Sequence, residues 1–296
     1  MDLKTSLSGL TFKNPLMPAS GPLVGDAKKI LVMQDKGVGA VVSKTISIEG
    51  AKVPKPCIIT KKNYIMNSEL WSEYSLDRWI NEFLPKIKEK LKIPFMISVG
   101  YAKEDMEILI PALDPYADAF EVSTHYVGKD LSIIEEIVKT IRSLTDKPFF
   151  MKVSPHMPDP VAFGKIVLRA EGNGIVAINS LGPAMDIDLK SRSVTIGNKR
   201  GEVWISGPVI KPVALAFISR IKREVPECPI IGVGGISSAE DVLEFLLAGA
   251  NAVQMLSSAI LYGLDLYEKI IADLPKALTK YGFDSIEQVI ETSINI

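Results

Sequence analysis

The chain of 296 residues has few of the side chains on which disulfide and metal sites depend. Its two cysteines exclude a disulfide framework and an iron–sulfur cluster held by four cysteines of this chain. Its two histidines are too few for a multi-histidine metal site, and we expect no metal. So low a thiol count is typical of a reducing compartment, and we therefore expect the protein in the cytoplasm.

An excess of charge of either sign is also missing. Lys and Arg number 34 and Asp and Glu 35, so no overall basic field is available to hold nucleic acid or an anionic membrane. The opening residues have no apolar signal core, and no uninterrupted apolar run reaches the roughly 18 residues of a membrane span. Because 47% of the residues are hydrophobic and 23% charged, the composition is that of an ordinary globular protein.

Short apolar runs alternate with amphipathic segments along the chain. The runs predict eight strands, Pro15–Ser20, Val38–Lys44, Pro94–Gly100, Ala117–Ser123, Pro148–Val153, Gly174–Asn179, Pro229–Gly234 and Asn251–Leu256. Several, such as VGAVVS, are apolar at nearly every position, as strands buried on both faces require. Eight alternating units of strand and helix predict an α/β fold, a single (β/α)8 TIM barrel over residues 1–296. The alternative is an open doubly wound sheet.

Two connections are too long for simple turns between a strand and a helix. They run from Thr45 to Ser75, after strand two, and from Ser180 to Lys211, after strand six. Because loops that follow strands line the catalytic face of a barrel, we expect both over the active site. The segment Leu3–Phe12 predicts a small N-terminal hairpin over the other end. Near the C-terminus, Asp284 is a candidate cap for a last helix over Ile286–Ile290.

Two lysines stand at the end of, or inside, apolar strands. Lys44 ends the second predicted strand and Lys152 lies within the fifth. An ammonium group is costly to bury without a partner, so we expect both to point into the barrel mouth and meet an anion or an electron-rich ring. The alternative for Lys44 is a side chain that snorkels at the rim. Two inward ammonium groups suit a ligand that gathers negative charge, such as a reduced flavin ring.

The turns after strands seven and eight indicate a phosphate site. Gly234 and Gly235 precede a helix start at Ser238, and Ser257 follows the eighth strand. Free N–H groups at such turns bind phosphate, and these two loops are the usual phosphate site of such barrels. At the end of strand six, Asn179 offers a donor and an acceptor that suit an amide or imide edge; the alternative is that it caps its own turn.

Taken in order, these motifs resemble the flavin-dependent dihydroorotate dehydrogenase superfamily, including the flavin domain of dihydropyrimidine dehydrogenases. The matching stretches cover nearly the whole chain and include Pro18-Ala19-Ser20-Gly21, Ser43-Lys44-Thr45, Met66-Asn67-Ser68, Met151-Lys152-Val153-Ser154-Pro155, Ile178-Asn179-Ser180, Ser206-Gly207-Pro208, Gly232-Val233-Gly234-Gly235-Ile236 and Val253-Gln254. The resemblance implies a (β/α)8 barrel that holds FMN at its C-terminal mouth. It also implies oxidoreduction of a C–C bond in a small cyclic, pyrimidine-like substrate.

The resemblance further implies a role for each site residue. The implied flavin contacts are Ala19, Ser20, Lys44, Thr45 and Lys152, and the implied phosphate contacts are Gly207, Gly234, Gly235 and the backbone near Leu256 and Ser257. The implied substrate contacts are Asn67, Asn179 and Ser180. The implied reaction is hydride transfer between the flavin and a ring carbon, with Lys152 stabilising the reduced flavin while a side chain on the opposite face moves a proton.

The segment after strand four departs from this family. Most members carry Asn-x-Ser-Cys-Pro-Asn, whose Cys, or Ser in one class, is the catalytic acid or base. Here Glu121 replaces the first Asn, Thr124 stands in place of the Cys, and His125 and Tyr126 follow. We predict that Thr124 carries the proton, with His125, which titrates near neutrality, as its rival and Tyr126 as a third donor. Because these changes fall together, they favour an altered substrate.

The second reactant and the assembly follow from further absences. The chain has no dinucleotide-binding fingerprint and no cluster-forming cysteines, so electrons must pass to a soluble acceptor or to a partner subunit. Family analogy favours a homodimer. Two other functions stay open: a flavin-free lyase or isomerase that uses Lys44 or Lys152 as a Schiff-base nucleophile on a phosphorylated substrate, and a weakly catalytic FMN-binding subunit of a larger complex.

Overall fold

The computed structural model describes residues 1–292 and 294. The strands are β1 Thr5–Leu7, β2 Leu10–Phe12, β3 Leu16–Pro18, β4 Val41–Val42, β5 Ile58–Thr60, β6 Ile65–Asn67, β7 Phe95–Val99, β8 Ala119–Ser123, β9 Phe149–Val153, β10 Gly174–Ala177, β11 Leu181–Ala184, β12 Ile187–Asp188, β13 Ser193–Val194, β14 Val203–Ser206, β15 Ile230–Val233 and β16 Ala252–Met255. The predicted domain of residues 1–296 includes positions 293, 295 and 296, which lie outside the described residues. That the domain is a single unit stays a prediction.

The helices alternate with the longer strands. They are α1 Ala27–Asp35, α2 Leu76–Arg78, α3 Leu84–Lys90, α4 Lys103–Leu113, α5 Ser132–Leu144, α6 Pro160–Arg169, α7 Lys211–Glu224, α8 Ala239–Leu247, α9 Ser257–Tyr262, α10 Leu266–Tyr281 and α11 Ile286–Glu291. A π-helical turn, Trp79–Phe83, joins α2 to α3. Within the described ranges, no helix combines the length and the apolar character needed to cross a bilayer.

Eight parallel strands form the central sheet, in the order β3-β16-β15-β10-β9-β8-β7-β4. The two ends of this order meet where the Gly39 N–H donates to the Leu16 carbonyl at 2.8 Å, which closes the sheet into a barrel. The predicted (β/α)8 barrel is therefore confirmed. Strand β4 is shorter than the predicted run Val38–Lys44, although Ser43 N still donates to the Met96 carbonyl at 3.0 Å.

Strand alternation divides the core into an outer and an inner part. On β9, Phe149 and Met151 pack outward among the helices, whereas Phe150 packs inside the barrel. All three side chains are fully buried, which explains why this strand is apolar on both faces. Lys152, two positions after Phe150, shares its inward face and lies one layer closer to the mouth.

The N-terminal hairpin closes the barrel at the end opposite the mouth. Strands β1 and β2 pair antiparallel, and their side chains Leu7 and Phe12 are buried in the inner cluster with Met17 and Phe150. Apolar side chains therefore fill this end of the barrel, and the predicted hairpin over Leu3–Phe12 is confirmed.

The two long loops form an additional sheet, which we call the roof sheet. It contains β5 and β6 from the first loop and β11 and β14 from the second, in the order β11-β14-β6-β5. Its pairing is antiparallel and places Trp204 opposite Asn67. Side chains from both loops line the cavity at the barrel mouth, as predicted.

The predicted cap of the last helix is wrong by one residue. Ser285, not Asp284, has the extended backbone of an N-cap, and its side chain accepts a hydrogen bond from the Gln288 N–H. The Gln288 side chain accepts in return from the N–H of Asp284, at 2.6 Å.

Candidate active site

A cavity of about 510 Å³ opens at the carboxyl ends of the barrel strands, beneath the roof sheet. It lies within the size range of pockets that bind small molecules and cofactors. The predicted site residues that line it are Ala19, Ser20, Lys44, Thr45, Asn67, His125, Lys152, Asn179, Ser180, Gly207, Gly234, Gly235, Leu256 and Ser257. Among the described residues, the predicted proton donors Thr124 and Tyr126 do not line this cavity.

Lys152 points into the cavity floor, where it forms a buried ion pair. Its Nζ lies 3.0 Å from Oε1 of Glu121, a fully buried residue on the adjacent strand β8. The other carboxylate oxygen, Oε2, accepts a hydrogen bond from Gln254 Nε2 at 2.8 Å. The partner carboxylate compensates the buried ammonium charge. The inward position of Lys152 follows from strand alternation, whereas its pairing with Glu121 was not predicted.

Lys44 forms a second ion pair, with Glu69 of the first long loop. The remaining oxygen of Glu69 accepts a weak hydrogen bond from Cys57 Sγ at 3.5 Å. Burial, together with the nearby Glu69 charge, raises the pKa of Cys57 and keeps the thiol protonated as a donor. Asn67 Oδ1 accepts from the Glu69 N–H at 3.3 Å, and this bond fixes the backbone at Glu69. Glu69 was not among the predicted site residues.

His125 occupies the cavity wall directly after β8. Its ring lies edge-on to Trp71, with 4.9 Å between centroids, and its Nε2 is 3.4 Å from Asn179 Nδ2. Desolvation by the surrounding protein, followed by the Lys152 charge, lowers the pKa of His125, so the imidazole is neutral at neutral pH. His125 thus brings a neutral proton acceptor to the cavity.

The other two predicted proton donors are engaged elsewhere. Thr124 is buried, and its Oγ1 accepts a hydrogen bond from the Tyr126 N–H at 3.3 Å. The Tyr126 hydroxyl donates to the Asp130 carbonyl at 2.5 Å. The structure therefore brings His125, rather than Thr124 or Tyr126, to the cavity.

One end of the cavity is formed by glycine turns. Gly207, Gly234 and Gly235 have φ angles of 110°, 132° and 99°, a region that favours glycine. A Cβ on Gly235 would lie 2.8 Å from the Gly207 carbonyl oxygen, so a side chain would not fit there. Within residues 1–292, no backbone carbonyl accepts the N–H of Gly234 or Gly235. These free amides are suited to an anion such as a phosphate group.

The floor of the cavity also contains an unsatisfied acceptor. Gln254 Oε1 is buried and has no hydrogen-bond partner among the described residues, although Gln254 lines the cavity. Buried polar atoms are nearly always hydrogen-bonded, so a partner from a bound molecule is expected here. Together with the free amides and the inward lysines, this acceptor fits a flat, polar-edged ring that carries a phosphate.

Comparison with known proteins agrees with this geometry. The family model described as dihydroorotate dehydrogenase matches residues 2–278. The chain is 32% identical over 301 residues to the dihydroorotate dehydrogenase B (NAD(+)) catalytic subunit of Pyrococcus furiosus, covering 98% of each chain. It is 34% identical over 300 residues to dihydroorotate dehydrogenase A (fumarate) of Lactobacillus helveticus, covering 96% of each. The chain therefore belongs to the dihydroorotate dehydrogenase family of oxidoreductases, as its motifs predicted.

Proposed function

We propose that this protein is an FMN-dependent oxidoreductase that acts on a C–C bond of a small cyclic, pyrimidine-like substrate. The observation that carries the proposal is the meeting, in one cavity, of two inward lysines, free glycine amides and three polar side chains suited to a ring. Each of these features comes from a different strand end of the barrel, where the catalytic groups of this fold are found.

The cofactor would lie between the glycine turns and the two lysines. Gly207, Gly234 and Gly235 would hold its phosphate, while Lys44 and Lys152 border its ring. Ser20 and Thr45 are joined by a hydrogen bond of 3.0 Å and complete the wall beside Lys44. When bound, FMN supplies the chemistry of hydride transfer, which no amino-acid side chain provides.

The substrate would be held by Asn67, Asn179 and Ser180, whose amide and hydroxyl groups both donate and accept hydrogen bonds. We assign the proton transfer to His125 because its neutral imidazole lies on the cavity wall beside Asn179. Thr124, the residue predicted from its position in the motif, would have to release the Tyr126 N–H and turn toward the cavity.

The ion pairs argue against a flavin-free lyase or isomerase. Lys44 and Lys152 are each paired with a carboxylate, and a paired ammonium has no free lone pair with which to attack a carbonyl. Both lysines are therefore better suited to electrostatic than to covalent catalysis.

A partner subunit is a further part of the proposal. The relative from Pyrococcus furiosus is named a catalytic subunit. This naming supports electron transfer to a partner subunit, with a soluble acceptor as the alternative. Assembly as a homodimer and a cytoplasmic location, in keeping with the two free thiols, remain predictions.

The visible spectrum of the freshly purified protein tests the cofactor. We expect a yellow protein whose absorbance bleaches when a dihydropyrimidine is added under anaerobic conditions. A colourless protein that takes up no added FMN would contradict the proposal.

Replacing Lys152 tests its role in the same assay. Lys152→Met should lower the rate of flavin reduction or the affinity for FMN by about 100-fold, the scale of losing one electrostatic contact to the reacting group. Because Glu121 would be left buried without a partner, the double variant E121Q/K152M checks that the loss does not come from misfolding. Lys165→Met, on the exposed side of α6, is the matched control and should leave both quantities unchanged. If both Lys152 variants kept the wild-type rate of flavin reduction and the wild-type affinity for FMN, Lys152 would have no role in either.

A further inference from the structure

The charges around the cavity indicate the class of ring that it takes. We infer that the site selects an uncharged ring over a ring that carries a carboxylate. The inference rests on the proposed function, which it narrows to a substrate class.

Each positive charge on the cavity wall is already compensated. Among the described lining residues, the lysines are Lys44 and Lys152, and their ammonium groups pair with Glu69 and Glu121. Two positive and two negative charges leave the four groups neutral as a set. The imidazole of His125, which also lines the cavity, is neutral at neutral pH.

An incoming carboxylate would meet repulsion here instead of a free cation. Glu69 lines the cavity itself, with 13% of its side chain exposed. To pair with Lys44, a substrate carboxylate would have to displace Glu69, whose other oxygen is bound by Cys57 and whose backbone is fixed by Asn67. Like charges brought together in a binding site disfavour binding of the wrong ligand, and a charge buried without a partner is also unfavourable.

An uncharged ring finds complementary groups in the same place. Asn67, Asn179 and Ser180 present neutral donors and acceptors, which match the N–H and C=O edges of an imide. The aromatic rings of Trp71 and Trp204 supply flat apolar walls around them. The site can therefore bind such a ring without burying an additional net charge.

Isothermal titration calorimetry with uracil and orotate tests the inference, because the two rings differ by one carboxylate and neither requires turnover. For the flavin-loaded wild type, we expect uracil to bind at least about tenfold more tightly than orotate. In Glu69→Gln, which removes the repelling charge and frees Lys44, orotate affinity should rise about tenfold or more while uracil affinity changes less than about threefold.

Glu73→Gln is the matched control. Glu73 belongs to the same loop and pairs with Lys55, but half of its side chain is exposed, so its neutralisation should change neither affinity. Wild-type protein that binds orotate as tightly as uracil, or binds neither ring, overturns the inference. So does a folded Glu69→Gln variant with unchanged orotate affinity. If Glu69→Gln does not fold, the wild-type comparison decides.

The flavin content, read first from the visible spectrum, distinguishes a failure of the substrate class from a failure of the proposed function. A yellow protein that prefers orotate contradicts only the substrate class. A protein that takes up no FMN contradicts the proposed function itself.

Discussion

At the scale of single residues, the segment after β8 shows how a short change in sequence brings a different titratable side chain to the cavity. Thr124 stands where family members carry their catalytic acid or base, yet its hydroxyl is buried and bound to the Tyr126 N–H. The next residue, His125, has a positive φ of 53° and lies on the cavity wall. An imidazole of lowered pKa is also a better proton acceptor near neutrality than a hydroxyl.

We therefore expect the pH profile of kcat/KM to carry the signature of His125. As the proposed general base in the oxidation of a dihydropyrimidine, His125 has to be neutral, and its pKa is lowered from 6.5, so activity should fall only as the pH drops below 6.5. His125→Gln should lose about 100-fold in kcat/KM and lack this acid limb, because general base catalysis is removed. Thr124→Val should keep both the wild-type kcat/KM and the acid limb of its pH profile. The reverse pattern in steady-state assays of the two variants would assign the proton to Thr124.

The sequence predicts where the site residues point better than it predicts their partners. Strand alternation places Lys152 inside the barrel because Phe150, two positions earlier, is buried in the inner cluster. Its pairing with Glu121 depends on the register of β8 against β9, in which Ser123 lies opposite Lys152. A sequence alone does not fix that register, so the compensating carboxylate could not be predicted.

At the scale of elements, the start of α8 is bonded to the residues that follow the glycine turn and to the start of α7. Asp241, in the first turn of this helix, accepts from Ser237 N at 2.7 Å and from Ser237 Oγ at 2.8 Å. Its other oxygen, Oδ1, lies 2.6 Å from Lys211 Nζ at the start of α7. Burial opposes ionisation of Asp241, but the bonds from Lys211 and Ser237 outweigh it and lower the pKa below the usual 3.8.

Asp241→Asn should therefore destabilise the fold by about 1.5–3 kcal/mol at pH 7, the range for hydrogen bonds to a charged group. A carboxyl group whose pKa is lower in the folded state stabilises the protein above its unfolded pKa of 3.8 and loses that effect as the pH falls through the folded value. In urea unfolding, the difference in the free energy of unfolding between wild type and variant should thus shrink below pH 3.8.

Glu244→Gln is the control for this prediction. Glu244 also pairs with Lys211, but 47% of its side chain is exposed. Its neutralisation should therefore lower the free energy of unfolding by less than about 1 kcal/mol at pH 7. Equal effects of the two substitutions, or a difference for Asp241→Asn that does not depend on pH, would show that Asp241 does not act through its charge.

The sequence predicts the barrel elements closely but misses the roof sheet. The alternation of apolar runs and amphipathic helices is a local signal, and it repeats eight times. Strands β6 and β14, by contrast, pair across the two long loops, with Ser206 opposite Ile65. Their three and four residues carry too short a pattern to indicate a strand without the partner.

At the scale of the whole molecule, cofactor binding should stabilise the fold through linkage. At a free FMN concentration about 100 times the Kd, the folded state gains about 2.7 kcal/mol, and the midpoint of thermal unfolding rises accordingly. Riboflavin, which lacks the phosphate, should raise the midpoint less because it leaves the free amides of Gly234 and Gly235 without an anion. Differential scanning calorimetry of the apoprotein with each ligand measures the difference.

Two glycine variants make this comparison specific. Gly235→Ala should abolish the advantage of FMN over riboflavin, since its Cβ would lie 2.8 Å from the Gly207 carbonyl oxygen. Gly282→Ala, at another glycine of positive φ but with no neighbouring atom within 4 Å of a Cβ, should keep it. Equal midpoints with FMN and riboflavin in the wild type would contradict a phosphate site at these turns.

The hairpin side chains Leu7 and Phe12 fill the far end of the barrel, so the cavity is reached from the mouth. We therefore expect molecules that bind at the floor beside Lys152 to enter and leave through the mouth. Two diffusible reactants that both react at that floor would therefore bind alternately, so that the first product dissociates before the second reactant binds. Initial-rate plots at several concentrations of each would then give parallel lines.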